Sequence, residues 1–327
     1  MRNRAKKALE RMIRPALNYL APGAITLGYH RISDETWDPL NLAVSKDNFR
    51  NHLDVITDKY DPVSLGSLVA MKRHGRSLKG CVSITFDDGY EDFIRYAVPE
   101  LANRDIPATI FVTTGYTGEP FWWDEVSYLV GRGNRDADIL EIDFHAKGGK
   151  RVFRNLKDNE SAASAVREIC DQMLDVEPSV RADVIAQIRG QVATRDAGVL
   201  IPRAMTQQQL EELSEIPLVE IAAHSVTHPM LSRLDEADQV REIRDSKFVL
   251  ETLGKDVKGF SYPNGSYSPR TRDIVEKCGF DYACTSQQAA VRRKSDFHQL
   301  PRIWAPNVGG EQFSRWISAW SGLRHRR

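Results

Sequence analysis

"SITFDDGYED" occupies residues 83–92. A strand-forming run, Val82-Ser83-Ile84-Thr85-Phe86, ends in two adjacent carboxylates, Asp87 and Asp88, and then Gly89. Consecutive strand residues point to opposite sides, so the two acids are expected to face different ways. Carboxylates at a buried strand end are costly unless something positive offsets them. A divalent cation would do so. One aspartate could ligate it while the other stays ionised beside it as a base. A water bound to such an ion has its pKa lowered from about 15.7 towards about 7, within reach of a nearby carboxylate. The plainer alternative is a turn or helix cap ahead of Gly89.

Six further runs, rich in β-branched and aromatic residues, read as strands. They are Ala24–His30, Ala108–Thr113, Val219–Ser225, Gly259–Pro263, Phe280–Thr285 and Leu300–Ala305, with the first stretch completing seven as Cys81–Asp88. Helical patterns lie between most of them, at Lys46–Tyr60, Glu91–Arg104, Thr206–Ser214, Glu236–Leu253 and Pro269–Cys278. Gly254 is a good stop for the fourth of these. Strands alternating with helices imply an α/β fold with a mostly parallel sheet, closed into a barrel near the eight-fold kind. Residues 131–199 break the rhythm. They are polar, charged and helix-prone, with helices expected at Ser161–Leu174 and Pro178–Val192, and read as a helical insertion between the third and fourth strands. The expected layout is a basic amphipathic segment at 1–23, the barrel at 24–306 and a second amphipathic basic segment at 307–327.

The 327 residues suffice for one large domain or two small ones. Lys+Arg and Asp+Glu balance at 45 each, which argues against a nucleic-acid partner held by bulk attraction. Cys81, Cys170, Cys278 and Cys284 form no CxxC pair, so a zinc ribbon or dithiol site is not expected. Arg11, Arg14, Pro15 and Asn18 interrupt the start, so no secretory signal is read there, and no run approaches the roughly 18 apolar residues of a membrane span. The expected location is the cytoplasm.

Ligands of parallel α/β folds bind at the carboxyl ends of the strands. There the sequence places Tyr29-His30-Arg31, Asp87-Asp88, His224-Ser225-Val226-Thr227-His228, Pro263-Asn264-Gly265 and Pro301-Arg302-Ile303-Trp304. His224 and His228 have HxxxH spacing, and two imidazoles with a carboxylate can hold one metal. Ser225 follows the first histidine where a metalloprotease has Glu, and Pro229 disfavours a helix, so the pair is expected on a strand-to-loop corner. Without a metal they would be two polar loop histidines at a helix start.

These stretches resemble the polysaccharide deacetylase family, carbohydrate esterase family four. Thr85-Phe86-Asp87-Asp88-Gly89 is similar to its TFDDG motif and His224-Ser225-Val226-Thr227-His228 to its HSxxH motif. The resemblance covers roughly residues 24–306 without the insertion. It implies a distorted (β/α)7 barrel, in agreement with seven strands. It also implies Asp87 as catalytic base and Asp88, His224 and His228 as ligands of a metal, usually zinc. The family's third motif carries an arginine that orients the base, but Ser261 stands in its place here. Arg302 is the candidate replacement, and the Asn264 backbone N–H is the oxyanion candidate. The late strand lacks the family's acid histidine. Tyr29-His30-Arg31 resembles a segment of permuted exopolysaccharide deacetylases, which makes His30 the candidate acid, with His298 as the alternative and a structural role for His30 as the plain reading.

The resemblance implies metal-dependent removal of acetyl groups from N-acetylated sugars of a polysaccharide, oligosaccharide or lipid-linked glycan precursor. Hydrolysis of another amide (a formyl group or cyclic imide) and a non-catalytic glycan-binding module are the competing readings. Phe121-Trp122-Trp123-Asp124 could line a sugar groove or pack under the insertion. Leu9, Met12, Ile13, Leu17 and Leu20 near the start, and Phe313, Trp316, Ile317, Trp320 and Leu323 near the end, form apolar stripes flanked by basic residues. Each could pack on the barrel or a second subunit, or lie on the anionic inner face of a membrane.

Overall fold

The computed structural model describes residues 23–132, 138–144, 149–174, 176–192 and 201–321. The chain divides into two compact units. Of the described residues, one holds those up to Asp34, Ala43–Gly115 and those from Gln207 on, and the other holds those within Glu35–Leu42 and Tyr116–Thr206.

The first unit is built on seven parallel strands. They are β1 (Ile25–Tyr29), β2 (Cys81–Phe86), β3 (Ala108–Val112), β4 (Val219–Ala223), β5 (Gly259–Ser261), β6 (Tyr282–Cys284) and β7 (Ile303–Trp304). Their order is β6-β5-β4-β3-β2-β1-β7, every neighbouring pair parallel. A parallel bridge between Cys284 and Leu300 sets the segment entering β7 beside β6, so the row curls back on itself as a distorted (β/α)7 barrel. Asp61–Pro62 adds a short strand at the amino end of β2. β1, β2 and β3 are buried at every position. Strands covered on both faces read as unbroken apolar runs, which is why they stand out in the sequence.

Helices α1 (Lys46–Lys59) and α2 (Glu236–Glu251) start at side-chain caps, Ser45 accepting from Asn48 N and Asp235 from Asp238 N. Gly254, at φ 75°, follows the end of α2 in the left-handed region. The helix expected at Glu91–Arg104 forms over residues 91–102 but widens into a π turn at Phe93–Ala97 before Val98–Ala102. Pro99 has no N–H to give to Arg95 and its ring crowds that carbonyl, so the turn widens and Val98 N donates to Phe93 O.

The C-terminal helix α3 (Gly310–Ser321) packs Phe313 and Ile317 of the expected apolar stripe into the barrel unit, with Trp316 and Trp320 half-buried and Leu323 outside the described residues. Phe313 stacks on His52 of α1 at 3.8 Å between ring centres. His52 Nε2 donates to Val308 O at 2.8 Å, which leaves Nδ1 to accept from the Tyr29 hydroxyl at 3.1 Å. The N-terminal stripe lies outside the described residues. Among the described residues no helix is long and apolar enough to cross a membrane.

Burial pushes His52 down to about 4, against the raising effect of its bond to Val308. The unfolded chain therefore takes up a proton near pH 6.5 that the folded chain refuses until about pH 4. This contribution to stability is complete above pH 6.5 and is lost as pH falls through that window, a change of about 3 kcal/mol. In His52→Gln, whose amide can make both hydrogen bonds, the fall of the urea midpoint between those pH values should be distinctly shallower. Equal slopes would show that His52 does not titrate in this way.

The second unit is wider than the insertion expected at 131–199 and is not purely helical. It holds helices Trp122–Arg132, Asn159–Met173 and Pro178–Gln191 and an antiparallel hairpin of Ile139–Asp143 and Lys150–Arg154. The hairpin escapes a sequence reading because its strands alternate exposed charges with single buried residues, Leu140, Ile142 and Phe153. Phe121, Trp122 and Trp123 are buried, with Phe121 and Trp123 stacked at 4.7 Å. The aromatic run is core of this unit rather than an open sugar-binding face. Trp37 closes the same core, its indole occupying the space a Cβ on Gly131 would need and donating to Ser127 O at 3.0 Å.

Candidate active site

β2 ends at Phe86, two residues before the expected end, and this decides where the two acids point. Asp87 N still donates to Tyr29 O of the neighbouring strand at 2.9 Å. Asp88 then turns into the left-handed region at φ 72°, with Gly89 following at φ 93°. The turn cancels the alternation expected of a strand. Both carboxylates face His224, whose Nε2 lies 3.7 Å from Asp87 Oδ2 and 3.5 Å from Asp88 Oδ1.

His224 follows β4, and its ring is fixed from behind. Nδ1 donates to Ser261 O at 2.8 Å, so Nε2 turns its lone pair towards the space it shares with Asp88, where a cation would sit. Burial lowers the His224 pKa despite the opposing pull of Asp87, which favours the neutral imidazole a metal requires. Ser225 at φ 65° and His228 at φ 56° bend the chain back, and His228 Nε2 comes within 3.4 Å of Asp88 Oδ1. The strand-to-loop corner expected for the pair is what the chain forms. Donor atoms of Asp88, His224 and His228 all lie within 4.8 Å of one another. Two ligands about 2.0–2.2 Å from one ion at a tetrahedral angle stand about 3.3–3.6 Å apart, so the spacings from Asp88 fit a divalent ion. One carboxylate and two imidazoles, with no thiolate, suit zinc and other first-row divalent ions.

Asp87 is held by a different partner. Arg302 is wholly buried and reaches it from β7's lead-in, 215 residues away along the chain. Nη1 donates to Asp87 Oδ1 at 2.6 Å and Nη2 to Oδ2 at 2.7 Å, the paired geometry of a guanidinium on a carboxylate. Nη2 also donates to Ser261 Oγ at 2.8 Å, and Nη1 to Thr85 Oγ1 at 3.2 Å. The Ser261 hydroxyl thus occupies little of the space where a longer side chain would stand, and the guanidinium arriving from another strand fills it. Burial by itself would raise the Asp87 carboxyl, but Arg302, with His224 and His30 nearby, reverses this and holds it well below the usual carboxylate range.

His30 stacks on Trp304 at 4.6 Å, and Trp304 also lies under the Arg302 guanidinium at 4.9 Å. Burial pushes His30 down to about 4, opposed by Asp87 and reinforced by Arg302 and His224. His298 is elsewhere. Its Nε2 donates to Phe280 O at 2.8 Å, at the amino end of β6, away from the rim that carries the acids. Asn264 stands exposed on the turn after β5, in the left-handed region at φ 54°. Asp88, Ser225, His228 and Asn264 make up four of the seven non-glycine residues with positive φ among the described residues. Backbone of this kind costs on the order of 1 kcal/mol per residue and gathers where geometry serves a site.

Three contributors were not singled out in the sequence. Ser261 reads there only as an absent arginine. Trp304 had one visible signal, its place two residues after Arg302 and hence on the same side of a strand. Glu242 of α2, which accepts from Val226 N and Thr227 N between the two histidines, had none.

Comparison with known proteins agrees with this geometry. The family described as polysaccharide deacetylase matches residues 74–137 and 187–283, leaving out a stretch that belongs to the second unit. A poly-β-1,6-N-acetyl-D-glucosamine N-deacetylase of Staphylococcus aureus (strain MRSA252) is 21% identical over 95% of this chain and 87% of its own length. The Bacillus subtilis (strain 168) protein YxkH, named among polysaccharide deacetylases, is 26% identical over 117 residues; the match spans 35% of this chain and only 42% of that protein. The solved structure of the Streptococcus pyogenes deacetylase PplD in complex with acetate superposes with a TM-score of 0.60 at 18% identity, covering 92% of this chain and 99% of that one. With both motifs inside the matched stretches and their side chains gathered at one end of a seven-stranded barrel, the chain belongs to the polysaccharide deacetylase family of hydrolases.

Proposed function

We propose that this chain removes acetyl groups from a β-1,6-linked N-acetylglucosamine polysaccharide, with a divalent ion, zinc foremost, held by Asp88, His224 and His228. The observation that carries the reading is the pairing of an ion-sized donor set with a second carboxylate, Asp87, fixed beside it by Arg302. The sugar and linkage come from the Staphylococcus aureus relative, similar over nearly the whole chain.

When bound, a divalent ion at this site acidifies a water and polarises the amide carbonyl. The chain's own groups supply the rest. Asp87, kept ionised and oriented by Arg302, accepts the proton of the attacking water. The Asn264 N–H lies on the same rim and would donate to the developing oxyanion. His30, clamped flat on Trp304 and kept neutral at rest by burial, takes up the proton that Asp87 removes from the water, with Asp87 favouring its charged form, and passes it to the departing amine. The products are acetate and a free amino sugar.

Acetate release from β-1,6-linked and β-1,4-linked N-acetylglucosamine oligomers tests this. Zinc-loaded chain should release acetate from the β-1,6 series and lose this activity with chelator, regaining it on zinc addition. Release from the β-1,4 series alone would overturn the substrate. Stoichiometric zinc without acetate from either series would favour another amide or a binding role.

A further inference from the structure

The three residues between the two histidines, Ser225, Val226 and Thr227, belong to no strand or helix. On one side the loop is tied to the barrel: Ser225 O and Val226 O accept from Thr114 N at 3.2 Å and Gly115 N at 2.8 Å. A Cβ on Gly115 would stand 2.6 Å from Val226 O, so the close approach depends on glycine. Within the loop, His228 N donates to Ser225 Oγ at 3.0 Å.

On the other side the backbone N–H groups of Val226 and Thr227 point the same way. Successive N–H groups aligned like this form a concavity that binds an anion. Here the anion is a side chain of the protein. Glu242 Oε2 accepts from Val226 N at 2.9 Å and Thr227 N at 2.8 Å, and Oε1 accepts from Thr227 Oγ1 at 2.7 Å. Glu242 sits in the 16-residue helix α2, whose Gln239, Ile243, Ser246 and Leu250 are buried, so the carboxylate is presented from a fixed support.

We infer that Glu242 is a positioning residue for the ion site: by clamping the loop it sets the separation of His224 and His228 without touching ion or substrate. The inference rests on the reading of Asp88, His224 and His228 as ion ligands. Without the carboxylate, two N–H groups and a hydroxyl lose their acceptors, and the loop between the left-handed residues Ser225 and His228 is held from the barrel side alone. Outer-shell partners of metal ligands are worth about 10–100-fold in metal affinity.

The test is zinc affinity by competition with a chromophoric chelator, on wild type, Glu242→Ala, Glu242→Gln and Thr227→Val, with thermal unfolding of each metal-free chain. Glu242→Ala should weaken zinc binding by about 10–100-fold. Glu242→Gln should recover most of the loss, since one amide oxygen can take both N–H groups while its NH2 donates to Thr227 Oγ1. A purely structural residue would lower the unfolding temperature and leave zinc affinity unchanged, and that result would overturn the inference. If Glu242→Ala does not fold, Thr227→Val decides: severalfold weaker zinc binding supports the clamp and unchanged affinity overturns it. Wild-type chain that takes up no zinc would instead overturn the ion site itself.

Discussion

Arg302→Met should lose about 3–5 kcal/mol of folding stability at neutral pH, far more than its lost contacts alone would suggest. The reason is what stays behind. Asp87 is 3% exposed, and without the guanidinium it is a buried carboxylate deprived of its two shortest charge-assisted hydrogen bonds. Adding Asp87→Asn should return most of the loss, because removing both charges costs much less than removing one. Arg302→Lys should recover only part, since an ammonium cannot donate two parallel bonds to a carboxylate while also serving Ser261 and Thr85. The pH dependence follows from the sign of the shift. Asp87 is depressed in the folded chain, so its contribution is complete above the unfolded value near 3.9 and is lost only as pH falls towards the folded value. The gap between wild type and Arg302→Met should therefore be full at pH 7 and narrow towards low pH as the stranded carboxyl takes up a proton. Urea unfolding of the four chains across pH measures all of this. A single variant within about 1 kcal/mol of wild type at pH 7 would show that the pair contributes no more than a surface ion pair.

Asp87→Asn should lower kcat for acetate release by about 10²–10⁴, the range that a positioned general base contributes. Zinc affinity should change little, because the replacement has the same shape and leaves Asp88, His224 and His228 in place. Asp88→Asn should behave in the opposite order, losing zinc first and activity in consequence. The contrast separates the two adjacent acids by role, and equal loss of zinc in both variants would sink the division between base and ligand. Arg302 remains in hydrogen-bond contact with Ser261, Thr85 and Thr285 in Asp87→Asn, so its guanidinium is not left without acceptors. The depressed carboxyl also means that an acid limb in the rate profile near pH 4 should belong to another group. His30, pushed down to about 4, is the group to examine through His30→Gln.

How far the sequence reaches is clearest from three places. The barrel strands were legible because burial on both faces leaves continuous apolar runs, and their carboxyl ends carry the site because parallel strands all deliver their last residues to one rim. The hairpin of the second unit was not legible, since Lys150–Arg154 buries one residue in five and looks like charged loop. Phe121, Trp122 and Trp123 look the same in sequence whether they pack inside or face a ligand, and only their burial distinguishes the two.

By itself, the sequence determined the α/β class, the seven strands, and the pair of motifs that put Asp87, Asp88, His224 and His228 within one rim. Those are local matters: residue type, spacing and strand polarity. The tertiary structure alone decided how the rim is wired. It turned Asp88 through a left-handed residue so that both acids face His224, and it brought Arg302 across 215 residues into the room left by Ser261. It also set His30 on Trp304 and Glu242 under the histidine loop. The Arg302 and His30 contacts join residues from opposite ends of the barrel sequence, the Glu242 contacts join a loop to a separate helix 15 and 16 residues on, and no local propensity encodes them. They exist because closing the barrel leaves buried charges and N–H groups that must find partners within reach.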